Sequence, residues 1–354
     1  MKLIDELHEG RVDIIGDVHG EITALERLLE VLGYDDPDNL PADRRLVFVG
    51  DLVDRGPDNI AVVERVQALV EAGRAQCVLG NHELNILMDD PKHGNEWFFG
   101  HGDHNATPSR SPTEEQRRAI VRFFHSLPLV LEREDLRVVH ACWNQEAVAR
   151  IQADEQQAVS VADLQRSYNA EIRKKLQASD HVKRHAEEEQ RCGRYIRFDH
   201  ADPAEYWPRP VMLDAHAYED EIWQMQNPIR VLTSGEERKA KEVFAAGGKF
   251  RFLERLPWWK HYEDNAAVIV GHYWRRYHSS GASVPGRFGP DLLDGIEPQH
   301  WMGKKNNVYC VDFSVGARAT ARIDGKPEDH HKLAALRWPE KEVVFDDGET
   351  RQTI

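Results

Sequence analysis

The chain has 354 residues, with 46 Lys and Arg against 61 Asp and Glu and a formal net charge of −15. Its length suits one large core or a core with an elaboration, and 41% hydrophobic residues is ordinary for a soluble fold. The negative balance repels phosphate backbones and disfavours broad nucleic-acid binding. No apolar run approaches the ~18 residues of a membrane span.

The first nine residues, Met1 to Glu9, carry acids and no apolar core, so no signal peptide is expected. Three apolar runs follow: Val12 to Ile15, Leu46 to Val49 and Cys77 to Leu79. Each reads as a short buried strand. Each ends in a glycine-flanked polar block. The blocks are Gly16-Asp17-Val18-His19-Gly20, then Gly50-Asp51-Leu52-Val53-Asp54-Arg55-Gly56-Pro57, then Gly80-Asn81-His82-Glu83. Ligands in open α/β sheets bind at the C-terminal ends of strands. A single Gly-Asp after a strand is usually a turn. Three in order, each supplying a further His, Arg or Asn at fixed spacing, point to a binuclear metal site.

Between the blocks, Leu25, Leu28, Leu29 and Leu32 make a helical stripe over Ile22 to Leu32, and Ile60 to Val70 repeats that behaviour. The alternation of strand and helix predicts an α/β architecture. Asp36 to Asp43 is a Pro- and Asp-rich loop. Residues 89–112 lack periodicity and read as a loop beside the site, whose His93, His101 and His104 are solvated rather than ligands. Two later strands end in histidine: Leu136 to Val139 before His140, and Ala266 to Val270 before Gly271 and His272. Between them, Gln145 to Gln190 is charged and helix-favouring, and Arg191 to Lys260 is aromatic. Cys77, Cys142 and Cys310 read as small core residues. With Cys192 they form no CxxC pair and imply no disulfide framework, which suits a reducing cytosol.

The three blocks match GDxHG, GDxVDRG and GNHE. On them the chain resembles the calcineurin-like metallophosphoesterases, and within them the phosphoprotein phosphatase family. Residues 11–143 and 266–345 carry the resemblance. It implies a βαβαβ core of two packed sheets flanked by helices, built from residues 1–143 and 261–354. Residues 144–260 would be an inserted cap shaping the substrate pocket. It also implies two divalent metals held by Asp17, His19, a bridging Asp51, Asn81, His140 and His272. Imidazole and oxygen donors without thiolate suit Mn, the first choice, or Fe or Zn. Two metals about 3.5–4 Å apart clamp a phosphate and generate the hydroxide that attacks phosphorus directly.

By the same resemblance His82 protonates the leaving oxygen while Asp54 holds its ring. Arg55 and Asn81 bind the substrate phosphate, joined by a second arginine, Arg255 ahead of Arg251. The expected protein is a cytoplasmic phosphomonoesterase acting on phosphoserine or phosphothreonine in protein, or on a small phosphorylated molecule. The alternative is a dinucleoside polyphosphate hydrolase, which shares the ligand set. Members of that branch often lack the counterpart of Asp54 and have Asp in place of Glu83, whereas this chain keeps both. Charge disfavours a nuclease, and the complete ligand set disfavours a non-catalytic binding module.

Overall fold

The computed structural model describes residues 2–35, 41–92, 94–100, 109–196, 211–246, 249–278 and 291–354. Along the chain, β1 (Ile4–Glu6), β2 (Arg11–Ile15), α1 (Ile22–Leu32), β3 (Arg44–Phe48), α2 (Asn59–Glu71), β4 (Ala75–Cys77) and α3 (Asn81–Leu87) come first. Next are α4 (Glu96–Phe99), α5 (Glu114–Ser126), β5 (Val130–Glu132) and β6 (Leu136–Val139). The middle holds α6 (Gln145–Asp154), α7 (Val161–Gln177), α8 (His181–Ile196), α9 (Asp214–Met225), α10 (Pro228–Ser234) and the hairpin β7 (Glu237–Ala246) with β8 (Lys249–Arg255). The last elements are β9 (Ala267–Val270), β10 (Val308–Cys310), α11 (Arg318–Ile323), β11 (Ala334–Trp338), β12 (Glu342–Phe345) and β13 (Thr350–Gln352).

Strands β2, β3 and β4 pair in parallel, and β11 to β13 extend them antiparallel, giving the six-stranded order β13-β12-β11-β2-β3-β4. A second sheet has the order β1-β5-β6-β9-β10, with β6 parallel to β9. Side chains alternate across each strand. Val12, Ile14, Val47, Val49 and Val78 therefore meet Leu131, Leu136, Val138, Ile269 and Tyr309 between the two sheets. Ile15, Leu46, Phe48 and Cys77 face the other way, onto Leu25, Leu28, Val62 and Val66 of α1 and α2. Each fully buried aliphatic side chain contributes about 1.5–3 kcal/mol. The result is an α/β fold of two packed sheets with helices outside. Asp58 caps α2 through the Ala61 N–H at 3.0 Å. These pairings set three glycine blocks side by side at the ends of β2, β3 and β4. His140 and His272 follow β6 and β9 in the facing sheet.

Two elements depart from the sequence reading. The N-terminus supplies β1, a three-residue edge strand too short to register as a pattern. The 89–112 loop contains α4, one helical turn that buries Trp97 and Phe98. Residues 144–260 divide by packing. Ala147, Val148, Ile151, Leu164, Tyr168, Ile229 and Leu232 join the main core, and the Leu232 carbonyl accepts the Ala141 N–H at 2.9 Å. Leu213, Ala217, Val243 and Phe252 form a separate small cluster from α9 and the β7–β8 hairpin. His93, His101 and His104 lie outside the described residues. Cys77, Cys142 and Cys310 are buried free thiols. Among the described residues no helix is long and apolar enough to cross a membrane.

Candidate dinuclear metal centre

The turns after the strands are held in unusual backbone. His19, Asp51, Asp54, Arg55, His272 and Trp274 all have positive φ, between 49° and 80°. Such conformations cost non-glycine residues about 1–3 kcal/mol each and persist only where surroundings enforce them. Here the Asp51 carbonyl accepts the Val18 and His19 N–H groups, both at 3.0 Å, and the Leu52 carbonyl accepts the Gly20 N–H at 2.8 Å. The first and second turns therefore brace each other.

The structure brings Asp17, His19, Asp51, Asn81, His82, His140 and His272 together. Asp51 Oδ2 lies 3.2 Å from His140 Nε2, 3.8 Å from His82 Nε2 and 4.0 Å from His19 Nε2. Asp17 Oδ2 is 3.9 Å from His19 Nε2, and Asn81 Oδ1 is 3.2 Å from His140 Nε2. Two donor groups converge, His19 with Asp51 and His82, and Asp51 with His140 and His272. Asp51 belongs to both, as a bridging carboxylate must. The first group includes His82 where the sequence reading placed Asp17. Asp17 instead accepts the His272 N–H on both oxygens, at 3.2 and 3.0 Å, which ties the two sheets together across the centre.

These residues fit a pair of divalent ions. His140 Nδ1–H donates to the Val49 carbonyl at 2.7 Å and His19 Nδ1–H to the Val53 carbonyl at 3.0 Å. Those bonds fix the tautomers that leave Nε2 as a metal donor. His272 Nε2 is buried with no hydrogen-bond partner. Asp17, Asp51 and Asp312 are all buried, and uncompensated buried charge is expensive. Burial pushes the Asp17 carboxyl well up, with Asp312 and Asp51 adding to the rise. Burial also opposes ionisation of Asp51, but His140 and His82 hold it well below the usual carboxylate range. Bound cations would relieve the excess negative charge.

Asp54 is fully buried, and its Oδ2 accepts His82 Nδ1–H at 2.5 Å. Its other oxygen accepts Trp97 Nε1–H at 2.7 Å. Burial lowers the His82 pKa, but Asp51, Asp54 and the hydrogen bond to Asp54 outweigh it and raise it overall. The Arg55 guanidinium carbon lies 4.6 Å from the Trp274 ring centroid, and its buried Nε has no hydrogen-bond partner. Arg255 reaches the edge of the centre. It pairs with Glu237 at 3.8 Å and lies 5.9 Å from the ring centroid of Tyr273, the residue after His272. Arg251, four residues back on β8, acts on the same Glu237 and also on Asp220.

Four residues in the site were not singled out as site residues from the sequence. Glu83 is fully buried and accepts the N–H groups of Asp51, Leu52 and Gly80 at 2.9, 2.8 and 3.0 Å. Burial pushes its carboxyl up to about 7, with Asp51 adding to the rise. Asp312 accepts the Trp274 and Ser314 N–H groups at 2.8 and 2.7 Å. It follows an apolar strand, the signal that marked the other acids. Trp97 and Trp274 carried no such signal.

Histidines and carboxylates from the ends of two facing sheets thus converge in two groups that share Asp51 and could hold metal ions. The calcineurin-like phosphoesterase family model matches residues 10–172, and the chain carries a calcineurin-like metallophosphoesterase domain. The asymmetrical bis(5'-nucleosyl)-tetraphosphatase PrpE of Oceanobacillus iheyensis is 37% identical over 139 residues, which cover 37% of this chain and 55% of that protein. The match thus spans about half the length of that curated relative. Among solved structures, a cold-active protein-tyrosine phosphatase of a psychrophilic Shewanella species has a TM-score of 0.48 at 15% identity, covering 100% of this chain and 83% of that one. A protein serine/threonine phosphatase from Saccharomyces cerevisiae has a TM-score of 0.46 at 12% identity, covering 100% and 84%.

Proposed function

We propose that the chain is a binuclear metal-dependent phosphoester hydrolase that prefers phosphomonoesters with a poor leaving group. Phosphoserine or phosphothreonine in protein, or a small alkyl phosphate, fits that description. Asp17, His19 and Asp51 would hold one divalent ion, and Asp51, Asn81, His140 and His272 the other, with Mn first and Fe or Zn as alternatives. Once bound, the ions supply Lewis-acid polarisation of phosphorus and a nucleophile at neutral pH. Arg55, stacked on Trp274, offers its planar fork to the phosphate oxygens. Arg255 approaches the same phosphate from β8, and Asn81 offers its amide.

The observation that carries this reading is the Asp54–His82 pair. Asp54 accepts the proton on Nδ1, so Nε2 is left facing the Asp51 side of the centre, and Asp51 and Asp54 raise the His82 pKa above the ordinary histidine value, which favours the protonated form that an acid needs. An alkoxide is a strong base and leaves well only when it receives a proton. A nucleoside phosphate is a weak base and leaves without one. A built-in acid therefore favours the phosphomonoester. Hydrolysis of dinucleoside tetraphosphates is the second reading, favoured by the 37% identity to the Oceanobacillus iheyensis tetraphosphatase. Rates with Mn on phosphoserine and phosphothreonine peptides, p-nitrophenyl phosphate and diadenosine tetraphosphate separate the two. Turnover of the tetraphosphate alone would overturn the monoester reading.

A further inference from the structure

Trp97 lies outside the three motifs, 43 residues from its partner in sequence, yet its indole touches the carboxylate behind the candidate acid. An ionised carboxylate only accepts hydrogen bonds, and an indole N–H only donates. Asp54 receives one donor on each oxygen, His82 Nδ1 at 2.5 Å and Trp97 Nε1 at 2.7 Å. A carboxylate held at one oxygen can turn about its Cβ–Cγ bond and carry the imidazole with it. Held at both, it has one plane. Because the indole cannot accept, no proton can sit on Asp54 Oδ1 facing it, which leaves the carboxylate ready to receive the Nδ1–H of His82.

The surrounding segment is built around this contact. Asp54 is 0% and Trp97 1% exposed, so water does not compete for either partner. The chain at Gly94 passes so close that an added Cβ would lie 3.6 Å from Asp54 Cβ. Asn95 ties the approach down, accepting the Lys92 N–H at 2.8 Å and donating to the Asp90 carbonyl at 3.2 Å. The Phe98 ring meets the Trp97 ring edge-on at 5.5 Å. From below, the Asp54 N–H donates to Asn59 Oδ1 at 2.7 Å.

We propose that Trp97 is a positioning residue for phosphoryl transfer. It fixes the plane of Asp54, so that His82 presents Nε2–H to the leaving oxygen. This role rests on the reading of His82 as the general acid.

The test uses the full chain loaded with Mn, and the variant Trp97→Phe, which keeps an aromatic ring and removes the donor. Metal content should stay at the wild-type value. With phenyl phosphate, whose leaving group needs the proton, kcat should fall about 10- to 100-fold with KM within about twofold. General-acid catalysis as a whole contributes about 10²–10⁴-fold, which bounds the loss. With 2,4-dinitrophenyl phosphate the loss should stay under about threefold. In an Asp54→Asn background, Trp97→Phe should have little further effect, because residues acting through one contact are not additive. Equal losses on both esters, or losses that multiply in the double variant, would overturn the proposal.

If Trp97→Phe does not fold, benzothienylalanine at position 97 keeps the bicyclic shape and lacks only the N–H. A reading free of activity is the Trp97 indole N–H resonance, identified by its disappearance in the variant. Asp54→Asn should move it upfield as the charge-assisted bond is lost, and an unmoved resonance would overturn the contact. A wild-type protein inactive on both esters would instead overturn the acid role of His82, while the resonance still decides whether Trp97 holds Asp54.

Discussion

Replacing Glu83 with Gln tests how Asp51, the proposed bridging ligand, is held. Glu83 Oε2 accepts the N–H groups of Asp51 and Gly80, and Oε1 accepts that of Leu52, all between 2.8 and 3.0 Å. Those bonds join the second and third glycine blocks beneath the centre. Hydrogen bonds to a charged group contribute about 1.5–3 kcal/mol each, and neutral ones about 1. In Glu83→Gln the amide oxygen can replace Oε2, but the amide NH₂ then faces the Leu52 N–H, donor against donor. One charged bond is lost and two become neutral, a gross loss of roughly 3–6 kcal/mol. Burying an amide costs less than burying a carboxylate, the same burial that pushes the Glu83 carboxyl up to about 7. A net loss of about 2–4 kcal/mol follows. With an unfolding entropy of about 2.1 cal/mol/K per residue, that lowers the Tm by roughly 3–5 °C for this chain. Changes around metal ligands also cost about 10–100-fold in metal affinity. Thermal unfolding of the metal-free protein and Mn titration calorimetry measure both effects. A variant matching wild type in Tm and Mn affinity would refute the claim that the Glu83 charge orders the Asp51 turn.

Three further outcomes are expected. Crystals grown with Mn should show two anomalous peaks about 3.5–4 Å apart, flanking Asp51; one peak, or peaks elsewhere, would remove the bridge. The acid role of His82 requires its protonated form, so kcat for an alkyl phosphate should fall as pH rises through a value above the ordinary histidine 6.5. His82→Asn should abolish that alkaline limb and lower kcat by about 10²–10⁴-fold with metal content intact. A limb that persists in the variant would assign it to another group. In Gly271→Ala the new Cβ would collide with Asp17 Oδ1 and crowd Val49 Cγ2, which displaces the Asp17 carboxylate. Mn content should drop from two towards one per chain by elemental analysis, and full occupancy would show that Asp17 is not a ligand.

The sequence by itself predicted that the candidate ligands would gather, because they stand at fixed short distances from strand ends. Asp17 comes two residues after β2, Asp51 three after β3 and Asn81 four after β4, while His140 and His272 follow β6 and β9 within two residues. Parallel pairing makes such residues neighbours without further information. Asp54, Arg55 and His82 were legible for the same reason, being inside the same blocks. Other features were decided only in three dimensions. Trp97 sits on a single helical turn, which has no periodicity to read, and its contact with Asp54 depends on how that turn packs against the second glycine block. Arg251 and Arg255 lie four apart on β8, so strand alternation places both on one face. Only the approach of the hairpin end to Tyr273 sets Arg255 beside the centre. The middle stretch reads as a charged helical part, Gln145 to Gln190, followed by an aromatic part, Arg191 to Lys260, yet packing divides it differently: α6, α7 and α10 join the main core while α9 and the β7–β8 hairpin form their own cluster. Composition records that a side chain will be buried. Which surface buries it is settled by the packing of elements far apart in the chain.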